Sequence, residues 1–219
     1  MPPVPIEQTS RAARRAAARR LLEAFDAGAV DRWASAEPQA PQVLQSLLCE
    51  ADELLSWRAA EALGRTAAVR ARRDPEGVRE MLRRILWLMN DESGGLLRQG
   101  PPALGAVLAS VPGLCGEYLD VLASFLEEEP FRTGVRWALW RIAGARPGAV
   151  ADAAGARLAA SLLDPDPAVR GHAALALRAA SGPASAAAVA GDGAALVVFD
   201  WRAGTLRPTT VGDAARGAF

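Results

Sequence analysis

Lysine is absent from these 219 residues, so all 25 basic side chains are arginine. That excludes Schiff-base catalysis and the lysine of a phosphate-binding loop in one step. Arginine stays protonated, so it makes a poor general base. His172 is the single histidine, which rules out a two-histidine metal site within one chain and forces any Ser-His-Asp or Cys-His arrangement to recruit that residue. Cys49 and Cys115 lie far apart with no paired-cysteine motif, as expected for two reduced thiols in a cytoplasmic protein. No run of 18 apolar residues exists to span a bilayer, and no apolar stretch follows the N-terminal arginines as in a secretory signal. Net charge is also missing: 25 arginines face 25 carboxylates, which gives no global attraction to nucleic acid or anionic membrane. Only carboxylate chemistry is left for catalysis. The expectation is a non-catalytic chain with no cofactor and no metal.

What is present is a repeat. Leu55-Ser56-Trp57-Arg58-Ala59-Ala60-Glu61-Ala62-Leu63-Gly64 sets out small and apolar residues at helical spacing. The pattern returns from Leu96 to Gly105, from Val135-Arg136 to Ile142-Ala143-Gly144, and from Val169-Arg170 to Arg178. Its closing positions are 41, 39 and 34 residues apart. A period of about 40 with helical spacing inside each copy signals stacked helix pairs, none of which buries its apolar stripe alone. The pairs are predicted over 40–51 and 54–68, 75–90 and 98–110, 114–128 and 131–145, and 148–163 and 167–180. Pro75 follows Asp74 as a first-turn proline follows its N-cap, and Pro112-Gly113 and Pro147-Gly148 separate pairs.

The last copy carries a family likeness. Asp164-Pro165-Asp166-Pro167-Ala168-Val169-Arg170-Gly171-His172-Ala173-Ala174-Leu175-Ala176-Leu177 resembles the HEAT-like repeats named after phycobilin lyases, in which an Asp-Pro turn leads to Val-Arg and then Ala-Ala on a second helix. The third copy keeps Val135-Arg136 but has Leu139 and Trp140 where Ala-Ala is usual, and the second has Gly100-Pro101 there. The resemblance spans residues 40–180. It implies an all-α, right-handed α-solenoid of about four to five helix pairs whose second helices line a concave face. It also implies turn aspartates pairing with the arginine that opens a second helix, Asp164 with Arg170 and Asp91 with Arg136. Such modules serve as scaffolds, as chaperone-like lyase subunits and as occasional enzymes, so the likeness speaks for fold more than function.

The flanks read differently. A helix is predicted from residues 7–10 to Phe25, with Arg11, Arg14, Arg15, Arg19 and Arg20 on its polar side, and residues 26–41 are expected to form a loop around Trp33. Residues 184–193 read as a linker within a second unit, 184–219, appended to a repeat domain over 1–183. Ala195 to Trp201 is β-prone, Ala203-Gly204 marks a turn, Thr205 to Pro208 returns, and Thr210 is placed to cap a short last helix. A lone hairpin is marginal in water, so this one is expected to cap the open end of the stack.

Aligning the second helices exposes a stripe one and five positions after the arginine site. It holds Trp57 with Glu61 and Trp137 with Arg141, beside Arg58, Arg98 and Gln99. Tryptophan and arginine are the residues that most often anchor interfaces. The stripe therefore defines an expected contact surface for another protein or peptide, flanked by Asn90, Asp91 and Glu92 in a Gly94-Gly95 loop. The opposing reading tucks Trp57 and Trp137 between repeats as core. The turn carboxylates 50–53, 90–92, 127–129 and 164–166 form either an acidic rim or a set of helix caps. Two other functions stay open: a chaperone or lyase-like subunit acting on a cofactor-bearing protein, with His172 as a tetrapyrrole ligand, and nucleic-acid binding through the arginine-rich first helix.

Overall fold

A computed structural model describes residues 10–90 and 97–218. Local signals explain where its helices begin. Ser10 accepts a hydrogen bond from the Ala13 amide (3.1 Å) and opens α1 (Arg11–Ala24), which ends where Phe25 turns left-handed at φ 49°. Asp26 accepts from the Ala29 amide (2.9 Å) and opens α2 (Ala27–Ala36). The loop expected over 26–41 is therefore mostly helix: Gly28 sits harmlessly in its first turn, and Pro41 sits in the first turn of α3 (Ala40–Leu47).

Four helix pairs follow in sequence. They are α3 with α4 (Glu53–Ala71), α5 (Pro75–Met89) with α6 (Gly100–Ser110), α7 (Cys115–Ser124) with α8 (Arg132–Ala143), and α9 (Pro147–Ala160) with α10 (Pro167–Ser181). Asp52, Asp74 and Asp166 cap α4, α5 and α10 through their carboxylates. In the core, α6 packs between α4 and α8, and α8 packs on α10. Leu63, Leu104, Leu108, Leu139 and Ile142 are buried along this line. Two glycines permit its close spacing. A Cβ on Gly64 would lie 2.5 Å from the Ala106 carbonyl oxygen, and one on Gly105 would lie 2.5 Å from the Ala138 Cβ.

The C-terminal segment departs from expectation twice. Residues Pro183–Val189 form a 3-10 helix that buries Ala186 and Val189, so this stretch is packed structure and no linker. The hairpin forms as read: β1 (Ala195–Asp200) pairs antiparallel with β2 (Thr205–Thr210), with Phe199 opposite Leu206, and Thr210 caps α11 (Val211–Arg216). It does not sit at the end of the stack, however. Leu196 touches α10 where Gly171 leaves room, and the far turn places Gly204 against the Phe25 ring at the end of α1. The hairpin thus crosses the face of the second helices. Among the described residues the chain is mostly helical with one small sheet, and no single helix is long and apolar enough to cross a membrane.

Candidate functional site

The second helices bring Trp57, Glu61, Trp137 and Arg141 of the predicted stripe together, but the hairpin covers the tryptophans. Trp57 and Trp137 meet at 4.9 Å between ring centroids, and Phe199 stacks on Trp57 at 5.3 Å. The Trp137 indole is fully buried and donates to the Phe199 carbonyl (2.8 Å), while Trp57 is 9% exposed. Trp201 packs edge-on against Trp140 at 4.1 Å. The expectation that Trp57 and Trp137 contact a partner is corrected on this point: aromatic area of this size finds cover within the chain. Arg58 is likewise engaged, donating from Nε to the Gly204 carbonyl (2.8 Å) and from Nη1 to the Leu22 and Glu23 carbonyls (3.0 and 2.9 Å).

Glu61 and Arg141, from α4 and α8, join across α6 through two hydrogen bonds of 3.1 and 2.8 Å. Glu61 is 6% exposed and Arg141 lies over the Trp201 ring at 5.1 Å. This pair forms the floor of the part of the face that the hairpin leaves open. Gln99 and Arg98 fall elsewhere. Gln99 donates to the Ser56 hydroxyl (3.1 Å), and exposed Arg98 lines a separate hollow beside Cys49 and Glu50. Asn90 ends α5, its side chain donating to the Leu86 carbonyl (2.8 Å). Asp91 and Glu92 lie outside the described residues, as does the expected pairing of Asp91 with Arg136.

The carboxylates of the turns act as caps and ion-pair partners. Asp164 receives Arg132, and Arg170 instead takes Asp192 (2.8 Å) while donating to the Asp164 backbone carbonyl (2.7 Å). The expected Asp164–Arg170 side-chain pair is therefore replaced, because the Arg170 fork reaches a carboxylate in the C-terminal segment. Glu50 holds Arg15 and Arg19 of α1, and Glu37 holds Arg14 (3.3 Å). These pairs occupy three of the arginines that a polyanion would need. His172 is 2% exposed inside α10, out of reach of an outside chromophore.

What remains open is a groove that the stripe alone does not reveal. One wall is α2 with Asp31 and Ser35, extended by Pro38 in the turn after it, the other is the C-terminal half of α4, and Ser110 and Arg141 close the far side. Its volume is about 740 Å³. Asp31 accepts both prongs of Arg65 (2.9 and 2.5 Å), and Arg70 donates to the Glu37 and Pro38 carbonyls. Arg72 and Arg73 are exposed and meet no carboxylate among the described residues. At Glu61, Arg65 and Arg141 the groove runs into a second, apolar hollow of about 240 Å³ beneath Leu21, Phe25, Val30 and Trp201. The signal for this site was the run Arg70-Ala71-Arg72-Arg73, which also reads as ordinary cations at a helix C-terminus.

No protein-family model matches the sequence, and no curated protein matches it. Two crystal structures of engineered proteins are similar in fold. One shares 21% identity at a TM-score of 0.50, over 85% of this chain and 82% of its own. The other shares 21% identity at 0.51, over 84% of this chain and 51% of its own, so this chain spans about half its length. At that identity the likeness concerns the fold alone.

Proposed function

We propose that this chain is a non-catalytic protein-binding module, a right-handed solenoid of HEAT-like helix pairs that holds a segment of another protein on its second-helix side. The successive pairing of α3–α4 through α9–α10, with the second helices packed in series, supports the architecture. The groove between α2 and the end of α4 is the observation that carries the function. It is open, it lies beside aromatic surface already committed to the hairpin, and its exposed cations Arg72 and Arg73 meet no carboxylate among the described residues. None of the residues around it forms a nucleophile–base pair, and no group of three or more metal-ligating side chains occurs among the described residues.

The test is a quantitative pull-down comparing the wild-type chain with Arg72→Glu/Arg73→Glu, both checked for equal helicity. The expected result is a protein retained by the wild type and lost with the double variant. Identical recovery with both, over every protein detected, overturns the groove as the binding face.

A further inference from the structure

The two halves of the groove differ in chemistry, and their sequence along the face describes one kind of occupant. Charges in the wide half cancel in pairs: Arg65 with Asp31 at 2.5 Å, and Arg141 with Glu61 at 2.8 Å. Glu37 is taken by Arg14, and the Asp74 carboxylate accepts from the Gly77 amide (2.8 Å) at the head of α5. Among the described residues Arg70, Arg72 and Arg73 then outnumber Asp74, the one lining carboxylate without an arginine partner, so the wide half attracts anions. The narrow half is walled by Leu21, Phe25, Ala27, Val30 and Trp201, with Arg58 and Arg202 also among its lining, and its volume is about 240 Å³. That is room for one large apolar side chain.

The face also shows how it holds backbone. Within the chain it grips the hairpin by donating from Trp137 and Arg58 to the Phe199 and Gly204 carbonyls, while aromatic rings pack alongside. The narrow hollow begins where that hairpin ends, at Trp201, with Arg202 stacked on the ring at 4.3 Å. A nucleic-acid strand would need a row of free cations along its path; here Arg65 and Arg141, where the two halves meet, are tied to Asp31 and Glu61, and Arg58 is engaged by backbone carbonyls.

Resting on the binding role proposed above, we infer that the occupant is an acidic peptide segment carrying one large apolar anchor. The anchor enters the hollow beneath Phe25 and Trp201, and carboxylates on one side of it meet Arg72 and Arg73. Burial of the anchor supplies affinity, and the arginines set the direction and sign of what is accepted.

The experiment is selection of a random displayed library of about ten-residue peptides, roughly 33 Å when extended, on the full-length chain. Enriched sequences are expected to combine Asp or Glu with a single Leu, Phe or Trp at fixed spacing. By fluorescence anisotropy, the enriched peptide is expected to bind at least about tenfold more weakly to Arg72→Glu/Arg73→Glu, equivalent to ~1.4 kcal/mol. Ala27→Trp, which fills the hollow at the first turn of α2, is expected to weaken it as much, with both variants retaining wild-type helicity. Enrichment of basic or purely polar peptides overturns the inference, as does no enrichment, unchanged binding to both variants, or equal affinity for a single-stranded oligonucleotide. Failure here is separable from failure of the binding role. A pulled-down protein that depends on Arg72 and Arg73 but binds through a segment lacking acids or an anchor removes only this inference.

Discussion

His172 illustrates how one buried polar residue sets a chemical liability without taking part in a site. Its Nδ1 lies 2.7 Å from the Ala168 carbonyl and donates to it, while Nε2 is enclosed with no partner among the described residues. Burial pushes its pKa down from the ordinary 6.5 to about 4, with Arg136 adding to the fall and Asp166 opposing it. The unfolded chain therefore takes up a proton near pH 6.5 that the folded chain refuses until about pH 4. Stability is complete above pH 6.5 and falls as pH drops toward 4, by on the order of 3 kcal/mol at most. Urea midpoints between pH 4 and 7 should show this slope in the wild type and a shallower one in His172→Leu. Neighbouring Arg136 is the opposite case, a buried cation fully provided for. It donates to Ser161 Oγ (2.7 Å), to the Leu126 and Arg132 carbonyls (2.5 and 2.9 Å) and to Glu127 (2.9 Å). Burial lowers its pKa and Glu127 draws it back. The family likeness pairs Arg136 with Asp91, whereas among the described residues the carboxylate that meets it is Glu127, from the preceding turn of its own pair.

Among the helices, spacing between α4, α6 and α8 depends on what is missing at Gly64 and Gly105. A methyl at Gly105 would press on Ala138, whose Cα lies 2.6 Å from the added carbon, and α8 cannot yield without disturbing its packing on α10. Gly105→Ala is expected to cost about 1–3 kcal/mol, overriding the ~1 kcal/mol that alanine gains in helix propensity. Gly155, in the middle of α9, has nothing within 4 Å of its added carbon. Gly155→Ala should therefore stabilise by roughly 0.5–1 kcal/mol. Thermal denaturation of the two variants should move the midpoint in opposite directions. Both residues look alike in sequence, as a glycine among small and apolar helix residues. Which one is a contact point follows from the neighbour it faces, and the repeat pattern hints at it only by placing Gly105 at the closing position of a copy.

Across the molecule, the hairpin ties the C-terminal segment to the end of the first helix. Phe199 stacks on Trp57 of α4 and lies 6.0 Å from Trp137 of α8, while Gly204 rests on Phe25 of α1. Phe199→Ala should cost about 3–5 kcal/mol. It should also let water reach two indoles, shifting tryptophan emission to longer wavelength while far-ultraviolet circular dichroism stays helical. Unchanged emission would show that the hairpin does not seal the second-helix face. The same closure explains why the expected contact stripe is half right. Trp57, Glu61, Trp137 and Arg141 do share one surface, yet the aromatic half is sealed and only the Glu61–Arg141 half opens into the groove.

The helix pairs, their boundaries at Asp52, Asp74-Pro75 and Asp166-Pro167, the hairpin and the Thr210 cap were all determined by the sequence itself. Each rests on chemistry within a few residues: a carboxylate or hydroxyl meeting a free amide, a proline that cannot donate, an apolar period of one turn. Helix α2 escaped that reading because Gly28, Pro38 and Pro41 resemble loop punctuation until the caps at Asp26 and the first turn of α3 account for them. Only the tertiary structure decided where the hairpin lies, which tryptophans are dry, and that Arg65 and Arg141 find carboxylates while Arg72 and Arg73 meet none among the described residues. The two ion pairs join residues 34 and 80 positions apart and the Arg58–Gly204 contact spans 146, and no local pattern encodes which of 25 arginines finds which of 25 carboxylates once the chain has closed on itself.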